Sequence, residues 1–435
     1  MNSRSPAWLL VPGAALVLAM APLPFLGDLR PRVATLLALW CVAHAAYLAA
    51  SWWVLRGGRA RLAWILGAGL LARLLVLPAA PTLSEDVYRY LWDGRLVASG
   101  ISPFAHAPTD PSLARFHDAL LDRLNHPTLP TIYPPAAQLL FAAAAAVAPV
   151  PLAWKVLLLL LEALLLFALR DLLRARGLPE ERLLLYYWNP LVIVESFGSG
   201  HLDLVAGVFL LAALALEERR RPAWAGVAFG LSVLTKYVPA IVAPAWARRG
   251  TWRLLAAAAA TTLLLLAPFA AVARAFWASP SVYTRHWEFN GAFYPLLRAA
   301  GLSGDSARIL LAGALGVFCL AAGRLVRPAS AAALACFSAL TLLSPTVYPW
   351  YLVPLVALLP LHPDPGWLVA TGLLSLSYLT LPDWAARHVW HLPGWVPWVE
   401  YGGLAAVWVG AWWVRRRQAA ARPRAVAWSS ESPPT

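Results

Sequence analysis

Apolar stretches long enough to cross a bilayer recur from one end of the chain to the other, and nothing else in the sequence limits the possible folds so tightly. Inside lipid every backbone N–H and C=O must find a partner within the protein, which leaves helices and closed barrels. About 20 apolar residues match about 30 Å of hydrocarbon as a helix. We place spans near 7–26, 33–55, 62–80, 152–170, 183–198, 201–216, 223–235, 238–247, 253–272, 307–323, 329–345, 348–361, 366–381 and 397–414. Several are too short to cross as straight helices and are expected to be broken. With 60% hydrophobic and 13% charged residues over 435 positions, the chain reads as an all-α, polytopic integral membrane protein. It forms one transmembrane domain over 1–435, with roughly 12 to 14 spans.

The formal net charge of +14 invites a nucleic-acid reading, but the placement of the charges argues against it. Lysine occurs only at Lys155 and Lys236. Most arginines fall in short polar segments: Arg56 to Arg61, Arg170 to Arg182, Arg219 to Arg221, Arg248 to Arg253, Arg324 to Arg327, and Arg415 to Arg424. The positive-inside rule expects such segments in cytoplasmic loops, so the basic balance reports topology and no nucleic-acid partner is expected. Cys41, Cys319 and Cys336 lie in apolar runs, and no disulfide framework is expected. His388 and His391 lack a third ligand, so no metal site is expected. Trp395 and Trp398 suit anchors where a span meets water. Prolines near span ends, such as Pro345, Pro349 and Pro354, mark helix breaks that survive only where protein or a wet cavity covers the freed backbone. Arg4, an apolar run and Ala19-Met20-Ala21 could pass for a signal peptide; we read a retained first span.

One segment decides the topology. If 136–148 crossed, the Arg-rich stretch 170–182 and every later basic loop would move outside. With 136–148 at the surface or re-entrant, all the basic loops share the cytoplasmic side with both termini, including the tail 415–435. Arg30 and Arg32 are then the exception, facing outward. Five polar clusters share the outer face: the loop 81–133, the turn at Gly198-Ser199-Gly200-His201, the turn at Thr235-Lys236-Tyr237, the loop 273–304, and the turn at Thr346 to Trp350.

The longest polar loop opens on Ser84-Glu85-Asp86. Val87, Tyr90, Leu91, Gly94 and Val97 recur at helical spacing, with Asp86, Arg89 and Asp93 opposite. Glu85–Arg89 and Arg89–Asp93 are both i,i+4 opposite-charge pairs. The segment 113–124 repeats the pattern with Leu113, Phe116, Leu120 and Leu124. Both segments are expected to be amphipathic helices on the membrane surface. Glu85 and Asp86 are explained by two readings. Carboxylates stabilise a helix N-terminus, and Ser84 suits the N-cap; alternatively, a carboxylate at the water–lipid boundary suits a general base for a hydroxyl. The residues alone leave both open.

Five stretches bear on that choice: S-E-D-V-Y-R-Y-L-W-D-G-R over 84–95 with G-I-S-P-F-A-H-A-P over 100–108 and R-L-N-H-P-T-L-P-T-I-Y-P-P over 123–135; Y-Y-W-N-P-L-V-I-V-E-S-F-G-S-G-H-L-D over 186–203; G-L-S-V-L-T-K-Y over 230–237; H-W-E-F-N-G over 286–291; and S-P-T-V-Y-P-W-Y-L over 344–352. In this order they resemble GT-C glycosyltransferases, in particular the bacterial, mannosyltransferase-like branch that uses polyprenyl-phosphate sugars (glycosyltransferase family 87). The resemblance covers about 81 to 360 and leaves the first two spans unmatched. It implies a GT-C-type helix bundle in the bacterial cytoplasmic membrane, with 81–133 as the extracytoplasmic catalytic loop. It also implies inverting transfer of a sugar, most simply mannose, from a polyprenyl-phosphate donor to a lipid or glycan hydroxyl. Asp86 becomes the expected base with Glu85 as its neighbour. No cofactor is expected, since the lipid-linked sugar is itself the donor; membrane lipids are the other partners. No Gly-rich phosphate loop for a cytosolic nucleotide sugar is present.

Lys236 either snorkels to water or meets the donor phosphate, where a fixed cation stabilises the leaving group; the resemblance favours the phosphate. His201 is a candidate for a sugar hydroxyl or the phosphate. Asp203 is explained equally by a helix N-cap. Arg89, Tyr133, Tyr237, His286, Asn290, Tyr348 and Trp350 complete the candidate substrate-binding set, although interface anchoring explains the aromatic members as well. Glu162, Glu195 and Lys155 are expected to be paired structurally, since an unpaired charge in a span is costly; the other reading of Lys155, two turns before Glu162, is that it faces the phosphate. The rival class is a transporter of sugars or lipid-linked sugars, which also uses broken spans and buried ionisable groups; no inverted repeat supports it.

Overall fold

The structure is a computed structural model that describes residues 6–247, 251–272, 276 and 278–420. The expected tail beyond 420, and Arg4, Arg248 and Arg249, lie outside the described residues. The described residues form helices and no strands; two isolated bridges join Phe289 and Asn290 to Thr346. Among the described residues four helices are long and apolar enough to cross a bilayer: Arg30–Leu55, Pro151–Ala175, Trp252–Ala270 and Gly304–Leu325. Their outward faces carry bare Trp52, Leu160, Phe167, Leu264 and Val317. Apolar exposure on that scale has no place against water. The chain is an all-α membrane protein.

The Pro151–Ala175 helix, about 37 Å long at 1.5 Å per residue, relates the two ends of the bundle. At its C-terminal end Arg170 and Arg174 bond Glu180, Arg176 bonds Glu218, and Asp171 accepts from Arg219. Arg59 pairs with Glu181 at 3.4 Å there. That last pair bears on the parity question. Loops 56–61 and 170–182 meet at one end, so an even number of crossings separates them. Leu62–Val76 and Pro151–Ala175 are compatible with two such crossings, and Pro135–Val147, about 20 Å long by its 13 residues, is shorter than either. Gly94 lets this short helix pack against Asp86–Ala98: a Cβ there would stand 2.3 Å from the Phe141 carbonyl oxygen.

Between the two ends, Glu162 holds the buried Arg73 guanidinium at 2.6 and 2.8 Å, and Tyr186 adds its hydroxyl at 2.9 Å. Arg73 further donates to the Gly69 and Tyr187 carbonyls. A charge so deep survives only when it is paired and hydrogen-bonded. Near the N-terminal end Lys155 donates to the Ala79 carbonyl at 2.7 Å, beyond the close of the Leu62–Val76 helix. Glu162 is paired as expected, whereas Lys155 has backbone carbonyls in place of a charged partner.

The expected span 183–198 is broken several times. Leu184–Tyr187, Pro190–Ile193 and a π-helical turn Val194–Ser199 follow one another, with Asn189 bonding the Leu191 amide at 3.0 Å across the first break. Nearly every residue here is buried in protein, which is what allows the irregular backbone. Two expectations fail in the long loop. Asp86–Ala98 is helical but most of it is buried, packed under the loop and not lying on a surface. The segment 113–124 forms only the 3-10 turns Pro111–Phe116 and Leu121–Arg123, because Pro111 and the Asp110 and Asp118 side chains fold the backbone into turns.

Candidate active site

Asp86 is the first residue of its helix, and the Ser84 hydroxyl accepts its amide at 3.2 Å. The Asp86 carboxylate does not cap the helix. Its Oδ1 accepts from Asn125 at 2.8 Å, and Oδ2 stands 3.7 Å from Nδ1 of His201. Burial pushes its pKa above the usual aspartate value; the Asn125 bond, the charge of Lys236 and the Tyr133 hydroxyl act the other way. A carboxylate held where water solvates it poorly is a better proton acceptor than a surface aspartate.

Gly200, in the left-handed region at φ +83°, closes the π-helical turn, and the His201 amide returns to the Glu195 carbonyl at 2.9 Å. His201 is 1% exposed and lies flat on Trp350, with ring centroids 3.8 Å apart and planes at 11°. Trp350 stacks on Tyr348 at 4.5 Å, and Tyr348 on Phe289 at 4.7 Å. Glu195 Oε2 is 3.6 Å from His201 Nε2, while its Oε1 accepts from Tyr378. On the other side Lys236, the residue that ends the Pro222–Thr235 helix, bonds Asp203 at 2.6 Å and lies 4.3 Å from the centroid of the Tyr351 ring. Tyr351 in turn hydrogen-bonds Tyr283. Asp86, Tyr133, His201, Asp203, Lys236, Tyr348 and Trp350 therefore gather at the end of the bundle opposite the arginine cluster. Asn125, Tyr283, Tyr351 and Tyr378 belong with them and were not singled out from the sequence; Asn125 and Tyr351 fall inside the quoted motifs.

Other expected members are engaged elsewhere. Glu85 pairs with Arg30 at 3.5 Å, not with Arg89, because its side chain points back to the segment before Val33–Leu55. Arg30, which also donates to both Asp28 oxygens, is thereby neutralised. Arg89 is buried, bonding Asp93 at 2.9 Å and the Leu129 carbonyl at 3.0 Å, so it fastens the loop. Asn290 is held by Glu400 at 2.7 Å and by Tyr401. His286 is exposed at the end of Ala278–His286, outside the cluster. Tyr237 sets its ring edge-on to Phe276. Among the described residues no three His, Cys, Asp or Glu side chains are grouped to hold a metal ion.

Residues 7–249 match the family model for the alpha-(1->6)-mannopyranosyltransferase N-terminal domain, the MptA_B family. The chain belongs to this family. It is a glycosyltransferase of mannosyltransferase type, embedded in the membrane, and it takes a sugar donor and a glycan acceptor. The transporter reading falls away. No curated relative matches the chain. The match to the MptA_B family spans Asp86, Glu195, His201, Asp203 and Lys236; Tyr283, Tyr348, Trp350, Tyr351 and Tyr378 lie beyond it and close the same cluster.

Proposed function

We propose that this mannosyltransferase is of the GT-C type and moves mannose, with inversion, from a polyprenyl-phosphate donor to a hydroxyl of a glycan or lipid on the extracytoplasmic face. One observation carries the assignment of the base. Of the three carboxylates in the cluster, Asp86 is 22% exposed, whereas Asp203 is 4% exposed and tied to Lys236, and Glu195 is fully buried. Asp86 alone has an open face for an acceptor. It takes the hydroxyl proton as the new C–O bond forms at the anomeric carbon. The bond to the phosphate oxygen breaks with its electron pair leaving on the phosphate. Lys236 faces that growing charge with donors left over from Asp203. The outward face follows from position: the cluster lies opposite the arginine-rich end, which the positive-inside rule assigns to the cytoplasm together with both termini. The donor is already anchored in lipid, so the reading calls for no cofactor, and the first loop, 81–133, is the catalytic one.

The test is transfer of labelled mannose from polyprenyl-phosphate mannose to a mannooligosaccharide acceptor by the purified protein in lipid. The wild type should form an alpha bond from a beta-linked donor. Asp86→Asn should lower kcat by about 10²–10⁴-fold, the range for loss of a general base. Near wild-type transfer by Asp86→Asn would remove the base assignment.

A further inference from the structure

His201 stands between two carboxyl groups. Nδ1 is 3.7 Å from Asp86 Oδ2, and Nε2 is 3.6 Å from Glu195 Oε2. Neither ring nitrogen, nor that Glu195 oxygen, has a hydrogen-bond partner among the described residues. Each gap is a few tenths of an ångström beyond a hydrogen bond, and catalytic contacts of this kind tighten when substrate binds. The imidazole cannot turn away. It is stacked on Trp350, and its backbone amide is bound to the Glu195 carbonyl. Tyr378 holds the far oxygen of Glu195.

A neutral imidazole has one donor and one acceptor. With Nε2–H directed at Glu195, a bare Nδ1 lone pair would face the ionised Asp86, and the two would repel. With Nδ1–H directed at Asp86, Nε2 becomes an acceptor and needs a donor, which Glu195 supplies only as the acid. No lysine or arginine pairs with Glu195 among the described residues to hold it ionised. Only the second arrangement satisfies every atom.

Resting on the assignment of Asp86 as the base, we infer that His201 is a positioning residue: its Nδ1–H holds Oδ2 of Asp86, and protonated Glu195 fixes that tautomer through Nε2. Asn125 holds Oδ1, so the carboxylate is gripped at both oxygens with its remaining lone pairs turned to the acceptor. His201 keeps its proton throughout the reaction, and it touches neither sugar nor phosphate. This replaces the sequence expectation of a sugar or phosphate contact.

Asparagine and glutamine separate the two ring nitrogens, since the asparagine amide nitrogen falls near Nδ1 and that of glutamine near Nε2. His201→Asn should keep kcat within about tenfold. His201→Gln should lose about a hundredfold, the scale of a misplaced reacting group, with the KM for polyprenyl-phosphate mannose unchanged in both. Glu195→Gln still donates to Nε2 and should lose far less than Glu195→Leu; this pair carries the test if the His201 variants do not fold. Equal losses for Asn and Gln, or a rise in donor KM at constant kcat, would overturn the inference. Inactive Asp86→Asn beside fully active His201→Gln would overturn the positioning role alone, whereas active Asp86→Asn would overturn both.

Discussion

Asp86 is held by contacts that act in opposite directions on its proton, and that makes its environment measurable. Burial raises its pKa, while the Asn125 bond and the Lys236 charge lower it. A base works ionised, so kcat/KM should fall as pH drops through the raised pKa. Asn125→Ala removes a lowering contribution and should move that acid limb to higher pH, which a pH–rate profile would detect. An unmoved limb would mean that Asp86 is not the titrating group. Lys236→Met should shift the limb the same way and also weaken donor binding; Lys236→Arg should keep part of the activity, because charge survives while geometry changes. Isothermal titration with a polyprenyl phosphate reads the binding, and unchanged affinity in the Met variant would leave the phosphate to another group. That Asp86, His201 and Lys236 deserved attention as candidates was legible in the sequence because ionisable groups are scarce in so apolar a chain. How Arg89 and Asn290 are engaged within the protein was legible only in part. Arg89 pairs with Asp93 four positions on, as its spacing announced, but its Leu129 contact and the Glu400 partner of Asn290 lie 40 and 110 positions away, and no local pattern announces those. Tyr378 looked like any other aromatic near a span end.

The Leu62–Val76 and Pro151–Ala175 helices are joined by one buried ion pair, and the sequence could announce its need but not its partner. Glu162 plainly required a cation, and Lys155, two turns earlier on the same helix, was within view; Arg73 came from the neighbouring helix. Arg73→Met leaves Glu162 charged and unpaired and should destabilise the protein by about 3–5 kcal/mol. The double variant Arg73→Met, Glu162→Leu should recover much of that loss, since apolar replacement of a buried pair is often neutral. Thermal unfolding in detergent would show it, and a double variant no better than the single would put the cost in packing. The loop helix at 113–124 failed at this same scale: its apolar spacing was helical, but aspartate-led turns took the backbone first.

Across the whole molecule the apolar runs specified an all-α membrane protein, and the arginine loops specified which ends belong together. The Arg59–Glu181 pair agrees with that grouping. Single cysteines at Asp118 and Arg176, in a background without the three native cysteines, should label from opposite sides of sealed vesicles. Labelling of both from one side would refute the non-crossing path of Pro135–Val147. Breaks inside spans were foreseeable from proline; where each fragment would dock was not, since that depends on residues far along the chain.

The broken, buried stretch from Leu184 to Ser199 has a consequence for how the protein is made. Asn189 is satisfied by Thr371 and Glu195 by Tyr378, partners that follow 182 and 183 residues later. At 5–20 residues per second, synthesis leaves a wait of about ten to forty seconds before either partner exists. Until then the segment presents an amide, a carboxyl and unpaired backbone groups that lipid cannot satisfy. It must stay sheltered by the insertion machinery, or in contact with water, while the chain behind it is threaded. The reactive end is thus completed after most of the bundle is in place, and a ribosome stalled before residue 371 would leave an inserted protein that cannot transfer sugar.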